Sequence, residues 1–208
     1  MSRKSKKTTT FMVVFFSVII VLGVKAYLDS TKNSSANQSQ AKVKGDPDAP
    51  LKVTEFIDFQ CAACANGSKY LKEEMQRHPQ LIRLELKHFP LAMHRHGFLS
   101  AQYAECAAEQ GKFWQMHDLL LARQSNWKRL DDPRSAFTQM INDAQIDKQK
   151  MWACVASGRA DKIIERNRLE GSGRSIRSTP TYFVNGKMVV GQKSLELKIN
   201  EYMEKHGD

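Results

Sequence analysis

The sequence predicts an α/β domain in which a β-α-β half and a β-β-α half share one sheet, with a helical block inserted between the halves. Three observations predict this class. The apolar strand LKVTEFIDF is followed by a helix and a second strand, residues 98–169 lack strand signals, and TPTYFVNGKMVVG contains an Asn185-Gly186 hairpin turn. A length of 208 residues with 41% apolar residues suits one medium-sized domain with a substantial core.

The N-terminal residues predict a segment for export. Four basic residues at positions 3–7 precede the uncharged run FMVVFFSVIIVLGV, which is the layout of a segment inserted with its positive end in the cytoplasm. We expect residues 1–28 to be a signal-anchor (transmembrane) helix. A signal peptide removed after residue 26 is the alternative, because Val24-Lys25-Ala26 resembles a cleavage site. Residues 29–44 are polar and predict a flexible linker.

The formal net charge of +10 narrows the range of partners. Residues 1–30 carry five basic residues and one acidic residue, which leaves +6 for the remainder. Residues 159–177 supply much of that excess, but Asp161, Glu165 and Glu170 are interleaved with the basic residues. This pattern is typical of a solvated helix face near a negatively charged membrane, so we expect no nucleic-acid partner.

The β-α-β half is expected to begin at Gly45 and to open a domain that runs to residue 208. The strand LKVTEFIDF is apolar on both faces, as in the centre of a sheet. A helix from Cys61 to about Gln76 and the strand LIRLELKHF follow it. Two strands joined by one helix should lie parallel.

The helical insertion is expected at about residues 98–170. Its segments are SAQYAECAAEQG, KFWQMHDLLLARQ, DPRSAFTQMINDAQ and DKQKMWACVAS, the last running on into ADKIIERNRLEG. The hairpin follows, and the amphipathic segment SLELKINEYMEKH closes the chain as a helix.

Cys61 and Cys64 lie where the first strand ends. A zinc site needs four ligands, and no second close pair of cysteines is present, so we expect no metal. A purely structural bridge is disfavoured because so short a loop removes little unfolded-state entropy. At a helix N-terminus, free N–H groups and the macrodipole stabilise a thiolate. We therefore expect Cys61 to be a nucleophile and Cys64 to be the resolving thiol.

Two further residues lie where a redox site needs them. Thr179-Pro180 opens the hairpin and predicts a cis peptide bond, with an ordinary trans proline at a strand edge as the alternative. Glu55 is the only charge in VTEFI. If buried, its carboxyl group would have a raised pKa and could exchange a proton with Cys64. The alternative is a strand end that reaches solvent.

With these residues the sequence resembles the DsbA family of thioredoxin-fold thiol-disulfide oxidoreductases. The matching stretches are GDPDAPLKVTEFIDFQCAAC, KHFPL, AAEQGKFWQMHDLLL and TPTYFVNG, and the likeness extends to about Met203. The resemblance implies a thioredoxin fold with an inserted helical subdomain and no cofactor. It also implies these site residues: nucleophile Cys61, resolving Cys64, cis Pro180 and buried acid Glu55.

The resemblance further implies where substrates bind. Thr179 would present its backbone to an extended substrate segment, in the manner of strand addition, beside Ala62 and Ala63. Strongly oxidising members of the family often carry Pro-His between the two cysteines. The two alanines therefore remove one source of thiolate stabilisation from Cys61 and leave the direction of electron flow open.

Cys106 and Cys154 lie in the helical block, where some relatives carry a second disulfide. A bridge between them would close a loop of about 48 residues, which the chain-entropy model values at about 4 kcal/mol. We expect a structural disulfide, with a redox-tuning pair or two buried free thiols as alternatives.

The sequence as a whole predicts an enzyme: an exported oxidoreductase that transfers the Cys61-Cys64 disulfide to unfolded or folding exported proteins. It would act on the periplasmic side of the bacterial inner membrane, or in the periplasm if residues 1–26 are removed. The resemblance implies reoxidation by a quinone-linked membrane thiol oxidase of the DsbB or VKOR type, and we expect a monomer. The alternatives are a reductase, isomerase or maturation factor of the same fold, or a non-catalytic binding or chaperone module. An isomerase is disfavoured because no dimerisation module precedes Gly45.

Overall fold

A computed structural model of the protein describes residues 19–26 and 40–206. The chain divides into two compact units, residues 1–40 and 41–208. Residues 19–26 are helical and exposed. Within the two described ranges, no helix combines the length and hydrophobicity that a membrane span requires. The predicted signal anchor lies mostly outside the described residues, and it stays a prediction that the structure does not confirm.

The second unit is built on a mixed sheet in the order β1-β3-β2-β4-β5. Its strands are β1 (Val43–Gly45), β2 (Leu51–Ile57), β3 (Ile82–His88), β4 (Thr181–Val184) and β5 (Lys187–Val190). Strands β2 and β3 are parallel, as the sequence predicts, and the other neighbouring strands are antiparallel. The two halves of the chain therefore share one sheet.

Helices cover the sheet and form the insertion. They are α1 (Ala62–Arg77), α2 (Gly97–Ala108), α3 (Phe113–Ala122), α4 (Gln124–Trp127), α5 (Arg134–Asp143), α6 (Lys148–Ser157), α7 (Arg159–Gly173) and α8 (Gly191–His206). Helix α1 connects β2 to β3, and α8 closes the unit. The insertion, α2 to α7, spans residues 97–173, against the expected 98–170.

Strand β1 is the element that sequence reasoning missed. It pairs antiparallel with β3, so residues 41–44 belong to the folded unit and not to a linker that ends before Gly45. Three residues with a single apolar side chain, Val43, show no periodicity that could predict a strand. Its partner supplies the backbone hydrogen bonds, and that partner lies about forty residues away along the chain.

Residues with positive φ mark the end of a helix and a hairpin turn. Gly158, with φ of 65°, ends α6 and separates it from α7, so the predicted continuous helix is wrong at this point. Asn185 and Gly186 have φ of 48° and 81°, as a two-residue hairpin turn with positive φ at both central positions requires. The predicted hairpin is confirmed.

Side chains along β2 alternate between the two faces of the sheet, and only those on one face pack against α1. Leu51 packs with Leu71 of α1 and Leu195 of α8, whereas Phe56 packs on the opposite face of the sheet. Because side chains alternate along a strand, Glu55 lies on the same face as Leu51. This places a carboxyl group under the helix that begins beside the cysteines.

A buried ionic cluster joins the insertion to the sheet. Lys42 Nζ donates to Glu105 Oε2 at 2.8 Å, and His88 Nε2 lies 2.7 Å from the same oxygen. Glu105 belongs to α2, His88 ends β3, and both are fully buried. Loss of one member of a buried ion pair leaves an uncompensated charge, so the cluster restricts how the insertion sits on the sheet.

A disulfide bond joins two helices of the insertion. Cys106 of α2 and Cys154 of α6 are bonded, with their Cα atoms 5.7 Å apart. Both residues are buried among apolar side chains of the insertion core.

We expect the Cys106→Ala/Cys154→Ala variant to lose about 2 to 4 kcal/mol of unfolding free energy, because the bridge closes a loop of 48 residues in the unfolded chain. Urea unfolding followed by circular dichroism measures the loss. An unchanged midpoint, or mass analysis of the untreated protein that finds both thiols free, would contradict this role.

Candidate active site

The two remaining cysteines lie at the junction of β2 and α1. Cys61 is the N-cap of α1, and Cys64 lies in its first turn, where its N–H donates to the Cys61 carbonyl oxygen at 3.1 Å. Both thiols are free. Cys64 is fully buried and Cys61 half-buried, whereas Ala62 and Ala63 are exposed. The pair therefore presents one sulfur to solvent and shields the other.

The surroundings of Cys61 stabilise its thiolate and lower its pKa to about 5. The hydrogen bond from the Cys64 thiol contributes most. Burial opposes the lowering, while Thr179 and the backbone of Cys64 and Ala63 add to it. The first turn of α1 contains no acidic residue that would counteract the positive end of the helix. Cys61 is therefore ionised at neutral pH although no imidazole lies beside it.

Cys64 has the opposite electrostatic character. Burial raises its pKa well above the ordinary value, and the hydrogen bond and charge of Cys61 raise it further. Its sulfur accepts a long hydrogen bond of 3.5 Å from the Asp58 N–H. The arrangement thus pairs an exposed thiolate with a shielded thiol, which is the asymmetry that a nucleophile and a resolving thiol need.

The loop before β4 faces Cys61. The Thr179–Pro180 peptide bond is cis, and the Thr179 carbonyl oxygen lies 3.3 Å from the Cys61 sulfur, where it accepts a hydrogen bond when the thiol is protonated. Pro180 is buried, and Thr181 Oγ1 donates to the Ser178 carbonyl oxygen at 2.7 Å. The structure therefore brings the sequence-predicted Thr179 and Pro180 to the cysteines across more than a hundred residues of chain.

Glu55 is fully buried, so the alternative of a strand end in solvent is wrong. Burial raises its pKa to about 8, with smaller opposing effects from Lys44 and Tyr182. In the described part of the chain, neither carboxyl oxygen has a hydrogen-bond partner, and the Tyr182 hydroxyl has none either. Glu55 also raises the pKa of Cys64, so the two groups interact.

Lys44 and Gly67 complete the surroundings of the buried acid, and sequence reasoning missed both. Lys44 comes from β1, and its Nζ lies 4.0 Å from the centroid of the Trp114 ring. A Cβ atom on Gly67 of α1 would lie 2.1 Å from the Tyr182 hydroxyl oxygen, so only glycine leaves room for that side chain. No local pattern identifies these residues, because their contacts come from other elements.

Asp58, three residues before Cys61, is a further residue that sequence reasoning missed. Its side chain is 1% exposed. The carboxylate accepts hydrogen bonds from the N–H groups of Gln60 and Leu91, both at 2.8 Å, and from His94 Nδ1 at 2.6 Å. Its backbone oxygen accepts the Cys61 N–H at 3.0 Å. One buried side chain therefore fixes both the cysteine turn and the loop after β3.

Two glutamine side chains, one in the cysteine turn and one in the insertion, connect these two parts by hydrogen bonds. Gln124 of α4 donates to the carbonyl oxygens of Phe59 and Cys61, at 2.7 and 3.0 Å. Gln60 donates to the Lys128 carbonyl oxygen at 3.0 Å. The insertion thus holds the backbone on which the reactive sulfur sits.

The other chemistry-bearing residues have separate roles. The Cys106–Cys154 disulfide is bonded to neither Cys61 nor Cys64. His96 Nε2 donates to a backbone carbonyl oxygen in the loop after α4. Across residues 19–26 and 40–206, no three His, Cys, Asp or Glu side chains form a group that could hold a metal ion.

Comparison with known proteins gives a family match and a set of curated relatives. A family model described as Thioredoxin matches residues 37–202. The Na⁺/H⁺ antiporter NhaA 3 of Salinispora tropica is 33% identical over 155 residues, which are 74% of this chain and 23% of that protein. The chain thus spans about a quarter of the length of the curated relatives that it matches.

Solved structures share the architecture at lower sequence identity. BdbD from Bacillus subtilis superposes with a TM-score of 0.67 at 18% identity, over 78% of this chain and 92% of that one. The α-DsbA1 protein of Wolbachia pipientis superposes with a TM-score of 0.65 at 19% identity, over 79% and 91%. These likenesses establish the fold.

The pH dependence of Cys61 alkylation tests the thiolate. We expect iodoacetamide to react with the reduced protein with a midpoint near pH 5, and Cys64→Ala to move that midpoint upward by at least about one unit, because the largest stabilising contact is lost. The matched control is Cys64→Ser, whose hydroxyl can still donate, so its midpoint should move less. Equal midpoints in all three proteins would contradict the assigned cause.

Glu55 should make the stability of the reduced protein depend on pH. Its folded-state pKa of about 8 lies above the ordinary 4.5, so between these values the folded state holds a proton that the unfolded state has lost. Stability from this group therefore falls as pH rises, by up to about 1.4 kcal/mol per unit. We expect Glu55→Gln to gain stability relative to wild type between pH 5 and pH 8 in urea unfolding.

Glu196→Gln, on the exposed face of α8, is the matched control. Its stability relative to wild type should stay constant over the same range. A constant difference for Glu55→Gln as well would show that the carboxyl group does not titrate as its burial requires.

Proposed function

The chain belongs to the thioredoxin family and has the fold of the DsbA-type thiol-disulfide oxidoreductases, and from this premise we propose that it exchanges a Cys61–Cys64 disulfide with cysteines of other proteins, chiefly as a disulfide-forming oxidase. One observation carries the proposal. Cys61 is half-exposed with a pKa of about 5, whereas Cys64 is buried with a raised pKa. This asymmetry supports a nucleophile that meets substrate and a resolving thiol that substrate does not reach.

In the first step a substrate thiolate attacks the Cys61 sulfur of the oxidised protein. A substrate–Cys61 disulfide forms as the Cys61–Cys64 bond breaks, and the electron pair of the broken bond goes to the Cys64 sulfur. Glu55 is suited to supply the proton that this sulfur takes up, because its pKa of about 8 keeps it protonated at neutral pH. Its effect on the pKa of Cys64 supports that role.

In the second step another substrate thiolate attacks the substrate sulfur of the mixed disulfide. Cys61 leaves as a thiolate, the substrate gains a disulfide, and the protein retains the two electrons as two reduced cysteines. A thiol of low pKa leaves readily and stabilises the reduced protein, which favours oxidation of substrate. The stabilising contacts come from Cys64 and from the backbone. Ala62 and Ala63 therefore do not argue against this direction.

Substrates of this proposed reaction are unfolded or folding proteins. The backbone of Thr179 lies beside the Cys61 sulfur, where an extended substrate segment could pair with it. Met93 and Leu130 are 82% and 40% exposed. They lie in loops that bond to Asp58 and His96, next to the cysteine turn. Exposed apolar side chains at that position suit contact with the apolar residues of an unfolded chain.

We further infer that the protein works outside the cytoplasm. The Cys106–Cys154 disulfide supports an oxidising compartment, because such bonds persist there. The basic and apolar residues that open the sequence support export, with residues 1–28 as an anchor in the inner membrane. Reoxidation of the reduced cysteines then falls to a quinone-linked thiol oxidase in that membrane.

Trapping of intermediates tests the proposed function. We expect Cys61→Ser to abolish oxidation of reduced, unfolded substrate protein, because the sulfur that substrate attacks is gone. We expect reduced Cys64→Ala, added to a substrate disulfide, to accumulate the mixed disulfide because the resolving thiol is missing. Non-reducing electrophoresis measures the trapped species, and the Cys106→Ala/Cys154→Ala variant is the control that should retain exchange.

The reduction potential decides the direction of exchange. A value near those of strong oxidants, about −120 mV, agrees with an oxidase, whereas a value well below about −200 mV would identify a reductase. Full activity of Cys61→Ser in cells, with no trapped partner for Cys64→Ala, would instead identify a binding module without catalysis.

A further inference from the structure

Two segments border Cys61 at the surface, and together we call them the rim. One is residues 177–179, because the Thr179 carbonyl oxygen lies 3.3 Å from the Cys61 sulfur. The other is residues 128–130, which are held against the cysteine turn by the hydrogen bond of 3.0 Å from Gln60 to the Lys128 carbonyl oxygen. A substrate segment bonded to the sulfur must run alongside the rim.

Each rim segment carries an exposed arginine. Arg177 lies two residues before Thr179, and Arg129 follows Lys128 directly. Two residues of extended chain span at most about 7 Å, so Arg177 lies close to the reacting sulfur. Arg129 adjoins the carbonyl group that binds the side chain of Gln60, the residue before Cys61. Within the part of the chain that the structure describes, neither guanidinium makes an ion pair or a hydrogen bond.

The acidic side chains near the rim do not neutralise these arginines. Asp131 pairs with Arg95 at 3.0 Å, and Asp132 pairs with Arg134 at 3.0 Å. Asp58 is buried and accepts three hydrogen bonds from neighbouring residues. The charge that the rim presents to a substrate is therefore positive.

We propose that the rim selects substrate segments that carry Asp or Glu within about three residues of the reacting cysteine. The inference rests on the proposed thiol-disulfide exchange and names a preference within it. An extended chain advances about 3.3 Å per residue, and the Debye length is about 10 Å at 0.1 M salt. Charges at these substrate positions therefore interact with the rim, chiefly by raising the rate of association.

Three model peptides test the proposal. Each contains one cysteine, and the two residues on either side are all Glu, all Gln or all Lys. The oxidised full-length protein is mixed with excess peptide, quenched with acid and alkylated, and reduced Cys61 is quantified by mass. The thiol pKa of each peptide is measured, so that the rates compared are rates per thiolate.

We expect the Glu peptide to react about tenfold faster than the Lys peptide at low salt, with the Gln peptide between them. The ratio should fall to about two in 1 M NaCl, where the Debye length is about 3 Å. Arg129→Gln/Arg177→Gln should lower the low-salt ratio at least threefold. Lys148→Gln/Lys162→Gln is the matched control, because it also removes two exposed cations, one from α6 and one from α7, and neither belongs to the rim. The ratio should stay unchanged.

Equal rates for the Glu and Lys peptides at low salt would overturn the inference while leaving thiol exchange intact. So would an equal fall in the ratio for Lys148→Gln/Lys162→Gln and the arginine variant, because net charge and not the rim would then be responsible. Failure of all three peptides, including Gln, to reduce the oxidised protein would overturn the proposed function together with the inference.

Discussion

The contact between the Cys61 sulfur and the Thr179 carbonyl oxygen is the interaction on which the rest of the site depends. It joins residues 118 positions apart, and it exists because β2 and β4 pair antiparallel at the centre of the sheet. Strand β2 ends shortly before α1, and Cys61 is the N-cap of α1, so its sulfur meets a helix N-terminus on one side and the cis-proline loop on the other. The hydrogen bond from the Cys64 thiol, with smaller contributions from the backbone of Cys64 and Ala63, explains how the thiolate is stabilised with only alanines between the cysteines.

The insertion helps to hold in place the backbone that makes this contact. Gln124 holds the backbone at Cys61, and Asp58 binds both the cysteine turn and the loop that leads into α2. At the same end of the sheet, where His88 pairs with Ile57, Glu105 of α2 binds His88 and Lys42. A change in the insertion therefore reaches the reactive sulfur through hydrogen bonds to the backbone, and not through a residue that touches substrate.

The burial of Glu55 shows how sheet geometry produces chemistry. Alternation along β2 turns this carboxyl group towards α1, where it is fully buried and neither of its oxygens has a hydrogen-bond partner among the described residues. Its pKa rises for that reason, and it becomes a proton donor at neutral pH. Lys44 limits this rise in the pKa of Glu55. It lies in β1, which is a strand because it pairs with β3.

The sequence by itself determined the order of the main elements and the Cys61–Cys64 motif at a strand-to-helix junction. It also identified Pro180 and Glu55 as candidate site residues. These are local patterns of polarity and turn chemistry, which a chain displays before it folds. Tertiary structure decided what each group meets: Asp58 with His94, Lys44 with Trp114, Gly67 with Tyr182. Such contacts depend on which distant segments pack together, and no short stretch of sequence carries that information. For the same reason the sequence does not predict β1, which is a strand only because it pairs with β3.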